Sequence, residues 1–307
     1  MPATVLDAIG RTPIIRLDHL VPEGAAEVWV KLEGHNPTGS YKDRMALAMI
    51  EGAERAGLLS PGQTVVEYTG GSTGTSLALV CALKGYPLRI VTSDAFAAEK
   101  LATMRAFGAQ LEIIPSQGGI TPDLIPAMQR RAREIVAETG GYATDQFSNT
   151  HMVAGYRTLG EEILAQLPGP IDVYCGYVGT AGCFLGVTRA LRAAHPTVRR
   201  VVIEPAESAV LSGGPAGTHR IEGGGVGFRP PQLVDGSFDE VQTVSTADAF
   251  PTARRAARVE GLFSGPSTGA NILVATRIAT RLGAGHRVVT VQVDSGMKYL
   301  GGDLYRT

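Results

Sequence analysis

Lys31-Leu32-Glu33-Gly34-His35-Asn36-Pro37-Thr38-Gly39-Ser40-Tyr41-Lys42-Asp43-Arg44 reads as the end of an extended segment, a tight turn, and the first turn of a helix. Asn36-Pro37 and Thr38-Gly39-Ser40 mark the turn, because these residue types favour reversal over a continued strand. Lys42 then stands at the helix start, beside the positive end of the helix dipole and its unpaired backbone N–H groups. That field disfavours the protonated ammonium and makes Lys42 a candidate nucleophilic amine, of the kind that forms Schiff bases with carbonyl compounds. A solvated lysine on an amphipathic helix is the alternative reading of the same run.

Outward from this unit, short β-branched runs alternate with longer amphipathic stretches, the pattern of an α/β protein with mainly parallel sheets. Strands are predicted at 27–32, 64–67, 88–92, 110–114, 171–174, 199–203 and 287–293. Helices are predicted at 41–56, 72–84, 99–107, 122–138, 153–167, 182–194, 247–260 and 268–282. The chain has 307 residues, 44% hydrophobic content and a formal net charge of −1, enough for a sizeable core in two lobes. That charge balance carries no electrostatic footprint for nucleic acid or an anionic membrane. No apolar run reaches membrane-helix length and no basic-then-apolar leader is seen, so a cytoplasmic protein is expected. Cys81, Cys175 and Cys183 lack paired spacing and the six histidines lack HExxH-type spacing, which disfavours a disulfide framework or a metal site.

Many of the 39 glycines cluster where a predicted strand ends and a helix begins, the place where open α/β sheets bind ligands. In Glu67-Tyr68-Thr69-Gly70-Gly71-Ser72-Thr73-Gly74, glycines allow close backbone approach while hydroxyls and N–H groups can hold a carboxylate. Gly176-Tyr177-Val178-Gly179-Thr180-Ala181-Gly182-Cys183 places small residues and successive amides at a helix start, a phosphate cradle. It is neither a Walker A loop nor a G-x-G-x-x-G fingerprint. Close helix–sheet packing is the alternative for either loop. Gly265-Pro266-Ser267-Thr268-Gly269-Ala270 opens a helix, with Ser267 or Thr268 free to cap it or to bond a ligand.

Taken in order, these segments resemble the cysteine synthase/cystathionine β-synthase family of fold-type II pyridoxal phosphate enzymes, over nearly the whole chain from Thr12-Pro13 to Ser295-Gly296. The resemblance implies a two-domain α/β fold of the tryptophan synthase β type, each domain a mainly parallel sheet flanked by helices. It implies a smaller mobile domain at 38–142 and a larger cofactor-binding domain at 1–37 and 143–307, and a homodimer. Lys42 matches the lysine that carries the cofactor as a Schiff base. Thr69–Gly74 matches T-S-G-N-T-G, so Thr69, Gly70, Ser72 and Thr73, with Gln146, are implied to grip the substrate carboxylate, and Ser72 also the ring hydroxyl. Gly179, Thr180, Ala181, Gly182 and Cys183 match the G-T-G-G-T phosphate loop. Gly265–Ala270 matches G-I-S-S-G-A, with Thr268 implied to face the pyridine nitrogen, and the glycine-rich segment 219–228 resembles one lining the site entrance.

The departures fall near the substrate. Ser72 stands for an asparagine, Gly70 for a serine, and Ala181 and Cys183 for a glycine and a threonine; after Gln146-Phe147-Ser148-Asn149 the usual P-A-N-P is absent. The implied reaction is β-replacement on an activated L-serine, of O-acetylserine or O-phosphoserine type, with sulfide or another small nucleophile and an aminoacrylate intermediate. A serine/threonine dehydratase-type β-elimination, a specialised synthase with a non-sulfur nucleophile, and a non-catalytic homologue remain as alternatives.

Overall fold

The structure is a computed structural model that describes residues 4–116 and 123–306. In chain order its strands are β1 (Ile14–Arg16), β2 (Glu27–Leu32), β3 (Val65–Tyr68), β4 (Leu88–Ser93), β5 (Gln110–Ile114), β6 (Tyr142–Ala143), β7 (Val173–Tyr177), β8 (Arg199–Pro205), β9 (Glu240–Val244) and β10 (Arg287–Gln292). The helices are α1 (Lys42–Arg55), α2 (Ser72–Lys84), α3 (Ala98–Ala106), α4 (Leu124–Thr139), α5 (His151–Gln166), α6 (Gly182–Ala194), α7 (Thr246–Val259) and α8 (Pro266–Leu282). Among the described residues no helix is long and apolar enough to cross a membrane.

Two compact units result: Lys42–Gly155 with the described part of Met1–Ile9, and Gly10–Tyr41 with Tyr156–Thr307. Beside the expected span of 38–142, the Lys42–Gly155 stretch starts four residues later and ends thirteen residues later. The first unit holds a four-stranded parallel sheet in the order β5-β4-β3-β6. Its strands bury Val65, Val66, Ile90 and Val91, near-continuous apolar runs that suit a parallel sheet covered on both faces. On α4 the buried residues Leu124, Met128, Ala132 and Ile135 recur at helical spacing and pack against Val66 and Val91.

The second unit is a six-stranded sheet in the order β1-β2-β10-β7-β8-β9, parallel except where β1 meets β2. Val28, Val30, Val173, Cys175, Val201, Ile203 and Val288 form its core with the buried face of α8. A side chain at Gly269 of α8 would run into the carbonyl of Ala249 on α7, so the two helices pack with backbones nearly touching.

The predicted elements recur with boundary shifts, and α7 forms despite Pro251 inside it. Three strands escape the sequence pattern. β1 and β6 span three and two residues, too short to show a period of two. β9 reads Glu-Val-Gln-Thr-Val and lies at the sheet edge, where one open side leaves little apolar signal. The predicted start of α4 at Pro122 lies outside the described residues.

Candidate active site

Lys42 is the first residue of α1 and is buried, 6% exposed. The helix behind it is held rigidly. A Cβ at Gly155, near the start of α5, would lie 2.5 Å from the Ala48 Cβ and 2.7 Å from the Arg44 carbonyl oxygen. At Gly52 a side chain would collide with the His151 ring. These two glycines bring α5 against α1 at van der Waals distance, which restrains the backbone that carries Lys42.

The Thr69–Gly74 segment leaves β3 and enters α2 in the same unit. Thr69 donates its N–H to Val91 O (3.0 Å), and its hydroxyl accepts from Gly71 N–H (3.2 Å). No side chain caps the start of α2, so its first amides suit an anion. Thr73 donates from its hydroxyl to Gln146 Oε1 (2.8 Å), bringing together two implied carboxylate ligands 73 positions apart in sequence. Gln146 Nε2 donates to Tyr68 O (3.4 Å). Gly70 has a physical reason to lack the family serine: a Cβ there would collide with the Phe96 ring. A Cβ at Gly71 would lie 2.9 Å from Lys100 Cδ, so that side chain lies across the loop. Ser72, half-buried, is the first residue of α2.

Sequence reasoning passed over Glu67, the last-but-one residue of β3, which is 1% exposed. Its Oε2 accepts from the Thr144 hydroxyl (2.7 Å) and Gln146 N–H (3.1 Å), and its Oε1 accepts from Tyr68 N–H (2.9 Å). Burial raises its carboxyl to about 7, against the lowering effect of these three donors. A carboxylate between Val65-Val66 and Tyr68 inside a strand pattern was the available signal.

In the second unit the Gly179–Cys183 loop joins β7 to α6. Ala181, the residue before α6, takes a left-handed conformation with φ 70°. Alternation of right- and left-handed residues at a helix start turns successive amides toward one point, a nest for phosphate oxygens. No side chain caps α6. Gly179 cannot carry a Cβ without striking the carbonyl oxygen of Gly223, and Gly225 N–H donates to Val178 O (3.1 Å). The glycine-rich 219–228 segment is thus laid directly on the loop. Thr180 and Gly182 are buried, and Cys183 Sγ is 4.0 Å from the Tyr174 hydroxyl. Burial and the neighbouring Cys183 push the Tyr174 phenol well above its ordinary value.

At the start of α8 the Thr268 hydroxyl accepts from Val293 N–H (3.0 Å). The neighbouring Ser267 hydroxyl, 1% exposed, has no hydrogen-bond partner among the described residues. A buried unpartnered hydroxyl costs free energy unless something meets it. It lies beside the same glycine segment: a Cβ at Gly223 would be 3.7 Å from Ser267 Oγ. An uncapped amide nest and an open hydroxyl in one unit are the donors that a phosphate and a ring nitrogen need, so the residues present fit pyridoxal phosphate.

Comparison with known proteins agrees. The chain matches the family described as pyridoxal-phosphate dependent enzyme over residues 5–294. It is 40% identical over 303 residues to a cysteine synthase of Staphylococcus aureus, covering 98% of this chain and 96% of that protein. It is similar to the crystal structure of O-ureido-L-serine synthase, with a TM-score of 0.92 at 37% identity, over 99% of this chain and 95% of that one. O-acetyl serine sulfhydrylase isoform 3 from Entamoeba histolytica also superposes with a TM-score of 0.92, at 33% identity over 100% of this chain and 92% of that one. The chain therefore belongs to the pyridoxal phosphate-dependent enzymes of fold type II, in the cysteine synthase/cystathionine β-synthase family, with pyridoxal phosphate as its cofactor.

Proposed function

We propose that the protein catalyses β-replacement on an activated L-serine, of O-acetylserine or O-phosphoserine type, with sulfide or another small nucleophile. The Thr73–Gln146 hydrogen bond carries this reading. It joins the two segments to which the carboxylate grip of an amino-acid substrate is assigned, and the Staphylococcus and Entamoeba relatives are named for this chemistry.

Bound pyridoxal phosphate supplies an electron sink for charge developing at the substrate Cα. The amides of Gly179, Thr180, Ala181 and Gly182, with Cys183 beside them, hold its phosphate. Thr268, whose oxygen accepts from Val293 N–H and whose proton is left to donate, would present a hydroxyl to the ring nitrogen, and the buried Ser267 hydroxyl beside it is a second candidate donor. Lys42 would hold the cofactor, and its Nζ would be the base for the Cα proton. Thr69, Gly70, Ser72, Thr73 and Gln146 hold the substrate carboxylate and so orient the Cα–H bond toward that nitrogen. A neutral hydroxyl at the ring nitrogen would not fix a proton there, which would suit loss of a β-substituent.

The structural similarity to O-ureido-L-serine synthase supports a second reading, an oxygen or nitrogen nucleophile in place of sulfide. The Gly70-Gly71-Ser72 stretch, smaller than the family's, gives that reading a physical basis. Products from O-acetylserine, with and without sulfide, separate these outcomes. Cysteine as the main sulfide-dependent product is expected, and Lys42→Ala abolishes it. Keto acid as the main product under both conditions would replace synthesis by elimination.

A further inference from the structure

We propose that Glu67 is a positioning residue for substrate binding: its buried carboxylate holds Gln146, and through Gln146 the Thr69–Thr73 loop, in the geometry that grips the substrate carboxylate. This rests on the carboxylate-binding reading above. Tyr68 N–H and Gln146 N–H are fixed backbone donors, one on each side of the carboxyl, and Thr144 adds a hydroxyl on the Gln146 side. An ionised carboxylate satisfies all three, since it is acceptor-only. A proton on Oε1 would point at the Tyr68 amide. A proton on Oε2 could be taken by a rotated Thr144 hydroxyl, but the Gln146 amide would lose its acceptor. Either way a buried donor is orphaned, and the backbone of residue 146 is freed.

Residue 146 is poised to respond. Asp145, just before it, has φ 42°, a left-handed conformation uncommon outside glycine and tolerated best by Asn and Asp, so the chain turns at this point. The Gln146 side chain is in turn the acceptor for Thr73. One carboxylate thereby links the end of β3, the segment after β6, and the α2 start. Burial raises the Glu67 carboxyl to about 7, close to the working range. The ionisable groups acting around it are Asp145, which raises it further, and Tyr68 and Tyr142, whose own phenols it raises; Arg133 of α4 acts on Tyr68. Repulsion between Glu67 and a substrate carboxylate works in the opposite sense, so the sign of the pH dependence is diagnostic.

Propionate, a carboxylate without an amino group, isolates the grip from the cofactor chemistry. Its binding to the holoenzyme, followed by calorimetry from pH 6 to pH 8, is expected to be about tenfold weaker at pH 6, as the competent fraction falls. Glu67→Gln, which places an amide against the same donors, is expected to bind propionate weakly and without that pH dependence, with KM for the amino-acid substrate raised more than kcat is lowered. Thr144→Val removes the hydroxyl that donates to the ionised carboxylate and lowers its pKa, and is expected to move the acid limb to higher pH. A merely structural Glu67 would not move that limb. Binding that strengthens toward pH 6, or a Glu67→Gln profile superimposable on wild type, overturns the proposal. Absence of propionate binding by the wild type overturns the carboxylate site itself and the proposal with it.

Discussion

Glu67 also has a thermodynamic consequence at the scale of one residue. Its carboxyl is raised from 4.5 to about 7 in the folded protein, first by burial. A raised pKa means the folded state holds the proton more tightly than the unfolded chain. The contribution is complete below pH 4.5 and is lost as pH rises through 7, at a cost of about 3 kcal/mol by pH 8. Glu67→Gln removes that cost. Urea unfolding should show the variant gaining on wild type by about 3 kcal/mol between pH 4.5 and pH 8. A constant difference between the two proteins across that range would place the proton elsewhere. Ala181 is a second site of stored cost, a left-handed alanine where the family has glycine; the restraint of the Gly179–Gly223 contact and of α6 holds it there.

At the scale of elements, close helix contacts fix where the chemistry-bearing residues stand. α1 carries Lys42 at its first position, and α5 presses on it through Gly155 and Gly52. Gly155→Ala would place a methyl against the Arg44 carbonyl, one turn or less from Lys42, with no flexible side chain to yield. Overpacking of this kind costs about 1–3 kcal/mol. Lower thermal stability together with a reduced kcat is expected, measured by calorimetric unfolding and steady-state rates; a variant with wild-type values for both would remove the mounting role of α5. α8 is held in a comparable way against α7 at Gly269, which sets the start of α8 where Ser267 and Thr268 lie.

For the whole molecule, the cofactor is a linkage partner. Residues assigned to it lie far apart along the chain, Lys42 at the start of α1 and the Gly179–Cys183 loop at the start of α6. Anything that binds the native state alone adds RT ln(1 + [L]/Kd), about 2.7 kcal/mol at a hundredfold excess over Kd. The thermal midpoint should therefore rise with added pyridoxal phosphate. Lys42→Ala should keep part of that rise, because the phosphate loop is intact in a different stretch of chain. A midpoint independent of pyridoxal phosphate in both proteins would contradict the cofactor assignment of these loops.

Much of this was legible in sequence. The strand–turn–helix run ending in Lys42 and the two glycine loops are local features: glycine placement, β-branched runs and helical spacing act over a few residues, so their signal survives in one dimension. The family, the cofactor and the mainly parallel α/β class followed from them. Tertiary structure decided the rest. The pairing of Thr73 with Gln146, the three donors around Glu67, and the bond from Val293 N–H to the Thr268 hydroxyl are contacts between residues that no periodicity relates. The Ser267 hydroxyl is buried with no partner among the described residues, while that of Thr268 beside it accepts from Val293 N–H. Whether a buried polar atom is satisfied depends on the position of a partner far along the chain, and that is settled by packing.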